Sequence, residues 1–444
     1  MRVDALRSAD AVHTSKSDAQ CGAELLKDLQ ARGRVIQHSA GGPALREKPF
    51  SAFGNESEFV AALTPVMSEI LASQAQFAVF CNSERVQWIR TGPLPVHFRK
   101  PDGWVGFVGF YQHEGLRKDE GCLLFGKPAK WELRDGVSVV LEAKLGSMNE
   151  VVGQLQRDLH YVCSEESRRV KRTGLAVLPE EFSVIDFLGS DVELVTQAKW
   201  TAPGSRALFE RALLRPNVWC LHASVILKKL ELSMLSSGGC FLGLGAFGRV
   251  LKVKTREGVD VALKMILSED ESDCERALKE FSIARSAWRT GVVVKVLECC
   301  KGVLEVDGVF GCGYTMELGT APNLKNLRAL LLVLAELHTT GWIHGDARVA
   351  NLVECAGVLK WIDMTCAYQF QDAACMEGAL SSEMLKFVRS CYARKRGISS
   401  PDAKPTSSVM SAISGYAKAV SVGNGDARDE CLVELEQATA KWMK

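Results

Sequence analysis

The sequence predicts a two-domain protein of mixed class, α+β and α/β. At 444 residues the chain is too long for one ordinary core, because single hydrophobic cores stop growing at roughly 250 residues. The pattern of apolar and polar residues changes near residue 225. Before that point strands and helices alternate, and after it a run of strands precedes a run of helices. We expect a leader at residues 1–50 and domains at residues 51–225 and 226–444.

The leader is rich in Ser, Ala, Gly and Lys with weak periodicity, which predicts a flexible or loosely helical segment. In the first domain "ESEFVAALTPVMSEILASQ" has helical spacing, and short apolar runs broken by Gly and Pro then predict strands up to "VVLEAKL". A helix follows at "NEVVGQLQRDLHYVCSEESRR", then strands at "GLAVLPEEFSVIDFLG" and "DVELVTQAKW" and a helix at "SRALFERALL". This order predicts a mixed α/β domain.

The second domain begins with strands punctuated by Gly, "FLGLGAFGRVLKVKTREGVDVALKMI". A charged helix and further strands lead to "GYTMELG", after which the pattern is mainly helical. These observations predict a β-rich small lobe at residues 236–319 and a helical large lobe at residues 320–444. The Ser- and Pro-rich stretch "GISSPDAKPTSSV" predicts a surface loop in the large lobe.

Composition limits the partners and the compartment. The formal net charge is +1, so no global field favours nucleic acid or membrane. The 15 Cys include no C-x-x-C pair, which indicates reduced thiols and an intracellular site of action, in cytoplasm or nucleus. The N-terminus has no apolar signal core, and the run "LRALLLVLAELH" is too short to span a bilayer. We expect no membrane partner.

The stretch "GLGAFGRV" lies between two predicted strands. Glycines there allow a tight turn that brings backbone N–H groups against phosphate oxygens, although a structural hairpin has the same pattern. The next strand contains "VALK", whose Lys264 stands among apolar residues and indicates an anion nearby. On the following helix Glu280 is placed to pair with Lys264, with Glu275 as the competing choice. The glycines are Gly243, Gly245 and Gly248.

The stretch "WIHGDARVANLV" places charged and polar residues between apolar flanks. Asp346 can accept a proton from an attacking hydroxyl or orient it, and Asn351 can bind a metal. Arg348 supplies positive charge for a transferring phosphoryl group. Asp363, at the end of the apolar strand "LKWID", is a second metal ligand. Taken singly, these residues are equally explained as a surface turn, a capping Asp and a strand-end Asp.

Together these motifs resemble a protein-kinase domain from residue 241 to about 390. The matches are G-x-G-x-F-G-x-V, V-A-L-K, a helix Glu, a Met-Glu-Leu-Gly hinge, H-x-D-x-x-x-x-N and a strand-end Asp. The resemblance implies a bilobal kinase-like fold, ATP and Mg²⁺ as cofactors, and a protein substrate with a Ser or Thr hydroxyl. It implies Asp346 as the catalytic base, Asn351 and Asp363 as metal ligands, and Lys264 at the α and β phosphates with Glu280 behind it. The three glycines would cover the phosphates, and the adenine would contact Val250, Ala262, Met316, Glu317 and Gly319.

Several positions depart from the protein-kinase pattern. Gly345 follows the His where most kinases carry Arg, and Arg348 stands where many carry Lys. The strand-end motif is D-M-T in place of D-F-G, and no A-P-E follows. These departures indicate an atypical kinase without activation-loop phosphorylation, and they leave the substrate open because small-molecule phosphotransferases also use an H-G-D loop.

The first domain carries a second set of chemical residues. A Pro-Asp pair opens a strand at Asp102, and another strand closes with Glu142-Ala-Lys144, whose period of two puts both side chains on one face. Two carboxylates and a lysine can hold Mg²⁺ and activate water for phosphodiester cleavage. A solvated ion pair at a strand end is the simpler alternative.

The order helix, K-P-D, strand, E-A-K, Gln-bearing helix and strand pair resembles the PD-(D/E)xK restriction-endonuclease-like fold. The resemblance implies that Asp102, Glu142 and Lys144 are catalytic, with Asp102 and Glu142 binding Mg²⁺ or Mn²⁺ and DNA or RNA as the partner. It further implies support from Gln154 and completion of the site by Glu58 or Glu69. The basic run "SRRVKR" at residues 167–172 would contact phosphates or form a solvated helix end.

A nuclease-like domain followed by an H-G-D kinase-like domain resembles the C-terminal regions of Crinkler-type effectors. The L-F-L-A-K header motif of that family is absent from residues 1–50, so secretion into host cells is an open implication. The leading hypothesis is an ATP-dependent Ser/Thr phosphotransferase with an appended nuclease-like domain. The alternatives are a pseudokinase scaffold and a nuclease toxin that its kinase-like half regulates.

Overall fold

A computed structural model of the chain describes most of its length. The described residues are 17–50, 53–74, 78–82, 89–90, 98–99, 101–107, 116–119, 122–125, 137–163, 171–188, 191–215, 218–234, 241–244, 248–306, 308–323, 326–370, 376–397 and 404–443. The chain divides into two compact units. Unit 1 comprises Met1–Lys228, Ser233–Leu244 and Leu304–Phe310, and unit 2 comprises Lys229–Leu232, Gly245–Val303 and Gly311–Lys444.

Unit 1 is built on a nine-stranded sheet with the order β1-β11-β10-β9-β8-β5-β2-β7-β6. The pairs β8/β9, β1/β11 and β2/β7 are parallel, and β5/β8, β9/β10 and β10/β11 are antiparallel. A separate pair is formed by β3 and β4. The strands are β1 Val35–Gln37, β2 Ala78–Asn82, β3 Ile89–Arg90, β4 Phe98–Arg99, β5 Gly103–Phe107, β6 Leu116–Asp119, β7 Cys122–Phe125, β8 Val137–Ala143, β9 Lys171–Val177, β10 Glu181–Leu188 and β11 Asp191–Lys199.

Helices pack on this sheet and close an aromatic core. Trp200 is fully buried, with ring centroids 4.6 Å from Phe182 and 5.3 Å from Phe209. Strand β8 is buried along its whole length, as expected of a central strand with both faces covered. The helices are α1 Asp18–Ala31, α2 Glu56–Gln74, α3 Met148–Cys163, α4 Ser205–Leu213 and α5 Val218–Lys229.

Of the two alternatives expected for the leader, flexible or loosely helical, the described part contains a helix that begins at Asp18. Ser17 and Gln20 form a reciprocal capping box that starts α1. Helix α1 then lies directly against α3, because a Cβ added at Gly22 would meet the Asn149 carbonyl oxygen at 1.9 Å. Weak periodicity concealed this helix, since its contact with α3 is made by glycine backbone and not by an apolar stripe. Strand β1 pairs with β11 at the edge of the sheet.

Unit 2 contains a sheet in which β14, β15, β18 and β16 are neighbours in that order. A hairpin of β20 and β21 and a short pair of β19 and β22 lie further along the chain. The strands after residue 230 are β12 Ser233–Met234, β13 Phe241–Leu244, β14 Gly248–Lys254, β15 Asp260–Ser268, β16 Val296–Cys299, β17 Leu304–Val306, β18 Val309–Glu317, β19 Trp342–Ile343, β20 Leu352–Cys355, β21 Val358–Trp361 and β22 Tyr368–Gln369.

The remaining helices of unit 2 share one large hydrophobic core, which includes Leu334, Phe387, Tyr416 and Leu432. Asp270, Asn326, Thr406 and Asn424 cap the N-termini of four of them. These helices are α6 Glu271–Ala287, α7 Leu327–Thr339, α8 Met376–Arg396, α9 Ser407–Ser421 and α10 Gly425–Trp442.

The described elements mix helices and sheets, which agrees with the predicted mixed class and is compatible with a kinase-like fold. The division into a nuclease-like and a kinase-like domain stays a prediction. Within the part of the chain that the structure describes, no helix has the length and apolar character needed to cross a membrane.

Candidate active site

Lys264, on strand β15, is the centre of an ion-pair network in unit 2. Its Nζ lies 2.8 Å from both carboxylate oxygens of Glu280 on α6, and 3.2 Å from Oδ1 of Asp363, which follows β21. Glu280 is buried, whereas Glu275 is exposed on the same helix. Of the two glutamates considered from the sequence, Glu280 is therefore the partner of Lys264.

Two further side chains form hydrogen bonds with Glu280, and the sequence motifs did not identify either of them. The Tyr314 hydroxyl on β18 donates to Oε1 of Glu280 at 2.7 Å, and Thr365 Oγ1 lies 2.9 Å from Oε2. Thr365 Oγ1 is also 2.9 Å from Oδ1 of Asp363, so its single proton serves one carboxylate at a time. The D-M-T motif could have indicated this contact. Its third residue, Thr365, has a hydroxyl, whereas the third residue of D-F-G is glycine and has no side chain.

These contacts set the charges of the network. Burial by itself disfavours the Lys264 ammonium, but Glu280 and Asp363 outweigh it, and the pKa of Lys264 is raised. Burial disfavours the Asp363 carboxylate too, yet Lys264 and the Thr365 hydrogen bond lower its pKa. Lys264 is therefore cationic and Asp363 anionic at neutral pH.

Helix α8 positions the loop that contains the H-G-D motif. Glu383 of α8 accepts hydrogen bonds from His344 N at 3.0 Å and Gly345 N at 2.5 Å, and it pairs with His338 Nε2 at 2.9 Å. Gly345 has φ of +78°, and a Cβ there would meet the Cys366 carbonyl oxygen at 2.3 Å. Glycine after the His is thus required by the backbone at this position.

The proposed base, Asp346, accepts hydrogen bonds from three side chains. Asn351 Nδ2 lies 3.1 Å from Oδ2, and Arg348 lies 2.5 Å from the same oxygen. Lys386 of α8 lies 2.5 Å from Oδ1. Burial raises the pKa of Asp346, but the hydrogen bonds from Lys386 and Arg348 outweigh it and lower the pKa below its usual range. Asp346 is therefore ionised, and Lys386 is a residue that the motifs did not reveal.

One backbone hydrogen bond joins Asn351 to the residue that precedes Asp363, the other residue predicted to bind metal. Ile362 N donates to the Asn351 carbonyl oxygen at 2.9 Å, which places Asn351 beside the chain segment that carries Asp363. The Nδ2 group of Asn351 donates hydrogen bonds to Asp346, so Oδ1 is the side-chain atom of Asn351 that would bind a metal. The carboxylate of Asp363 is ionised. An amide oxygen and a carboxylate are ligands that suit Mg²⁺. This donor set fits the metal that the kinase resemblance implies.

The residues predicted to contact adenine lie on strands β14, β15 and β18 and just after β18. Val250 faces Lys264 across the β14/β15 pair, and Ala262 and Met316 are buried in the core of unit 2. The Glu317 N–H donates to the Lys295 carbonyl oxygen, so only the carbonyl of Glu317 is left for adenine. A Cβ at Gly319 would meet Val353 at 2.6 Å, so this glycine is required by packing alone.

The glycine-rich stretch is described in part. Gly248 opens β14 and needs to be glycine, because a Cβ would meet the Met265 carbonyl oxygen at 2.7 Å. Gly243 lies in β13 with open space around it. Gly245 lies outside the described residues.

A second cluster of titratable residues lies in unit 1, where Asp102 precedes β5 and Glu142 is the next-to-last residue of β8. Asp102 Oδ2 accepts a hydrogen bond from Ala143 N at 2.8 Å, which ties the two strand ends together. Lys144 lies one residue beyond β8, and its Nζ is 2.8 Å from Glu56 Oε2 at the start of α2. Burial alone lowers the pKa of Lys144, but Glu56 and the other carboxylates raise it overall.

Glu142 is fully buried, and neither of its carboxylate oxygens receives a hydrogen bond from a donor group in the described structure. Its neighbours are the carboxyls of Asp102 and of Asp158 on α3. Burial first, then these two carboxyls, raise the pKa of Glu142 well above its usual value. The pKa of Asp102 is also raised, because the effect of burial exceeds the lowering by the hydrogen bond from Ala143 and by the charge of Lys144.

Other residues predicted for this cluster lie elsewhere. Glu58 accepts from Gly54 N and Asn55 at the start of α2, and Glu69 is exposed, so Glu56 is the acidic residue of α2 that reaches Lys144. Gln154 is half-buried on α3, and Asp158, four residues later, is the α3 side chain beside Glu142.

The basic run "SRRVKR" is described only from Lys171 onward. Arg172 is buried and donates to the Val137 carbonyl oxygen at 3.2 Å, so it contributes to the sheet interior and not to a phosphate-binding surface. Residues 167–170 lie outside the described part.

Comparisons with known proteins give little further information. No protein-family model matches the chain, and no curated protein matches its sequence. A crystal structure of a kinase domain matches 34% of this chain and 61% of that domain, with 15% sequence identity and a TM-score of 0.28. This chain thus spans less than two thirds of that domain. A similarity of this size supports no functional assignment.

Proposed function

We propose that unit 2 is an ATP-dependent phosphotransferase, most simply a Ser/Thr protein kinase. The observation that carries the proposal is the bidentate contact of Lys264 with buried Glu280, with ionised Asp363 3.2 Å from the same ammonium. A merely structural lysine does not require a second, half-exposed carboxylate positioned by its own backbone turn. Asp363 has φ of +61°, a conformation that costs energy for a residue with a side chain.

The chain's own residues supply binding, orientation and charge. Lys264 would bind the α and β phosphates, with Glu280 fixing its position, and Asn351 and Asp363 would hold Mg²⁺. The metal supplies charge neutralisation between the phosphates when bound. Asp346, ionised and oriented by Asn351, would accept the hydrogen bond of the attacking hydroxyl.

The proposed transfer would move the γ-phosphoryl group of ATP to the acceptor hydroxyl. A bond forms between the acceptor oxygen and the γ-phosphorus, and the bond from that phosphorus to the β,γ-bridging oxygen breaks, which releases ADP. The hydroxyl proton passes to Asp346 and then to solvent. The lowered pKa of Asp346 makes it a weak base, which suits a late proton transfer and a mainly orienting role.

The test uses the purified full chain with labelled ATP, Mg²⁺ and a generic Ser/Thr protein acceptor. Wild type should incorporate label into itself or the acceptor, and Asp363→Asn and Asp346→Asn should reduce incorporation by at least about a hundredfold. Arg256→Gln, a charge change at an exposed position of unit 2, serves as a matched control. Equal incorporation by wild type and Asp363→Asn contradicts the proposal and favours the pseudokinase alternative.

A second candidate function is metal-dependent phosphodiester cleavage in unit 1. The specific observation is Glu142, a buried carboxyl without a donor, next to Asp102 and close to Lys144. A cation at Asp102 and Glu142 would relieve this electrostatic conflict and bind a water for attack. Among the described residues no set of three or more Asp, Glu, His or Cys is arranged to bind a metal, so two carboxylates would carry the site.

The full chain also tests this second candidate. Mg²⁺ or Mn²⁺ should raise the melting temperature of unit 1 and permit nicking of DNA or RNA, and Lys144→Ala should abolish nicking while the thermal shift remains. If the wild type shows neither metal-dependent stabilisation nor nicking, the cluster of Asp102, Glu142 and Lys144 is structural and the nuclease candidate is rejected. A Crinkler-like effector role, its host compartment and regulation of the nuclease by the kinase-like half stay predictions.

A further inference from the structure

We propose that Lys386 selects acceptors that carry an acidic group next to the hydroxyl, an inference that rests on the proposed phosphotransferase function. The substrate class is therefore an acidic Ser/Thr peptide or protein segment. Lys386 lies outside every motif on which the kinase resemblance depends, 40 residues after Asp346.

Helix α8 brings Lys386 into contact with Asp346, the proposed base. Three of its side chains contact the catalytic loop at successive points: Glu383 accepts from Gly345 N, Lys386 contacts Asp346, and Ser390 accepts from Val349 N at 2.7 Å. The spacing of three and four residues puts them on one face of α8. Lys386 is thus held beside the base by a helix that is fixed at both neighbouring contacts.

The carboxylate of Asp346 is paired with two cationic side chains, so the pairing leaves one positive charge in excess. Asp346 contributes one negative charge, and Arg348 and Lys386 contribute two positive charges at 2.5 Å. A surplus of cations beside the position of the attacking hydroxyl favours acceptors with negative charge.

The two cations at Asp346 have different tasks. Arg348 belongs to the catalytic loop and bonds the same oxygen as Asn351, which suits a role at the transferring phosphoryl group. Lys386 bonds the other oxygen, Oδ1, and its side chain is 47% exposed. An acceptor hydroxyl that takes the place of Lys386 on Oδ1 leaves the ammonium next to the acceptor, where an acidic side chain can receive it.

The experiment compares three peptides of one sequence around a central Ser, flanked by Glu, Ala or Arg. The kcat/KM for each is measured with wild type, Lys386→Gln, Lys386→Glu and the control Lys395→Gln, an exposed lysine near the end of the same helix. Wild type should prefer the Glu peptide. Lys386→Gln should reduce the ratio of the Glu to the Ala peptide about fivefold, the effect of one partly exposed ion pair, and Lys386→Glu should shift the preference to the Arg peptide.

Melting temperatures of all variants show whether each is folded. Transfer by wild type without a preference for the Glu peptide, or a preference that Lys386→Gln and Lys395→Gln leave equally intact, overturns this proposal and leaves the phosphotransferase function standing. If wild type labels neither itself nor any peptide, the proposed function and this inference both fail.

Discussion

Tyr314 donates its hydroxyl hydrogen to Oε1 of Glu280 at 2.7 Å, on a carboxylate that also receives both contacts of Lys264. With Thr365 on the other oxygen, Glu280 is held from strand β15, from strand β18 and from the turn after β21. The Lys264–Glu280 pair is therefore assembled by neutral hydroxyl groups of the fold.

Tyr314→Phe should weaken the Lys264–Glu280 pair without creating a cavity in the core, because the aromatic ring remains and only the hydroxyl donor is lost. Hydrogen bonds to charged groups contribute about 1.5–3 kcal/mol, so we expect a loss of about 2 kcal/mol in the free energy of unfolding of unit 2. We also expect a roughly tenfold fall in kcat/KM for ATP. Denaturation with Tyr368→Phe, an exposed tyrosine, as control measures the first effect, and an unchanged midpoint contradicts it.

Thr365→Val should lower the transfer rate more than Thr365→Ser, because serine keeps the hydroxyl between Asp363 and Glu280. We expect about a tenfold fall in kcat for the valine variant and less than about threefold for the serine variant, from the loss of one charge-assisted hydrogen bond. Steady-state kinetics at saturating ATP measure both. Equal rates for the two variants would assign Thr365 a steric role.

Glu383 should make the stability of unit 2 depend on pH in the acid range. Burial alone raises its pKa, but the bonds from His338 and the His344 N–H outweigh burial and lower it below its usual value of 4.5. A lowered folded pKa means that the stabilisation is complete above about pH 4.5 and is lost as the pH falls through the folded value. Glu383→Gln should therefore melt well below wild type at pH 7, with a smaller difference near pH 3. A constant difference at both pH values contradicts the linkage.

Glu142→Gln should stabilise unit 1 at neutral pH. The folded pKa of Glu142 is raised, so its contribution is most favourable below pH 4.5 and falls as the pH rises above that value. Glutamine imitates the protonated form, and a gain of roughly 1 kcal/mol corresponds to about 2–4 °C in melting temperature for a unit of this size. Calorimetry measures the gain, with Glu193→Gln, a substitution at an exposed position of β11, as the control. A Glu142→Gln variant that melts below wild type would show that the Glu142 carboxyl does not destabilise unit 1.

Gly22→Ala should destabilise unit 1 by separating α1 from α3. The added Cβ would meet a carbonyl oxygen of α3, which cannot move without disturbing that helix, so we expect a loss of at least about 2 kcal/mol. Gly378→Ala on α8 meets open space and should be neutral or stabilising by about 0.5–1 kcal/mol. If both substitutions have the same effect, the close helix contact is absent in solution.

Much of unit 2 could be predicted because its chemical residues occur in short local motifs. The spacing from His344 to Asn351 and the strand before Asp363 are properties of consecutive residues, so the sequence indicates them directly. The choice between Glu275 and Glu280 could not be made in that way. The two are five residues apart, which places them about 140° apart around a helix, and only the packing of α6 decides which one faces Lys264.

The sequence by itself determined the order of the reactive groups: a glycine-rich turn, Lys264, a helix glutamate, Asp346, Asn351 and Asp363 in unit 2, and Asp102, Glu142 and Lys144 in unit 1. Only the tertiary structure decided their partners. Lys386, Tyr314, Asp158 and Glu56 lie between 16 and 88 residues from the groups they contact, and nothing in local spacing marks them. Charge and hydrogen-bond partners are chosen by proximity in space, which the packing of helices on sheets creates.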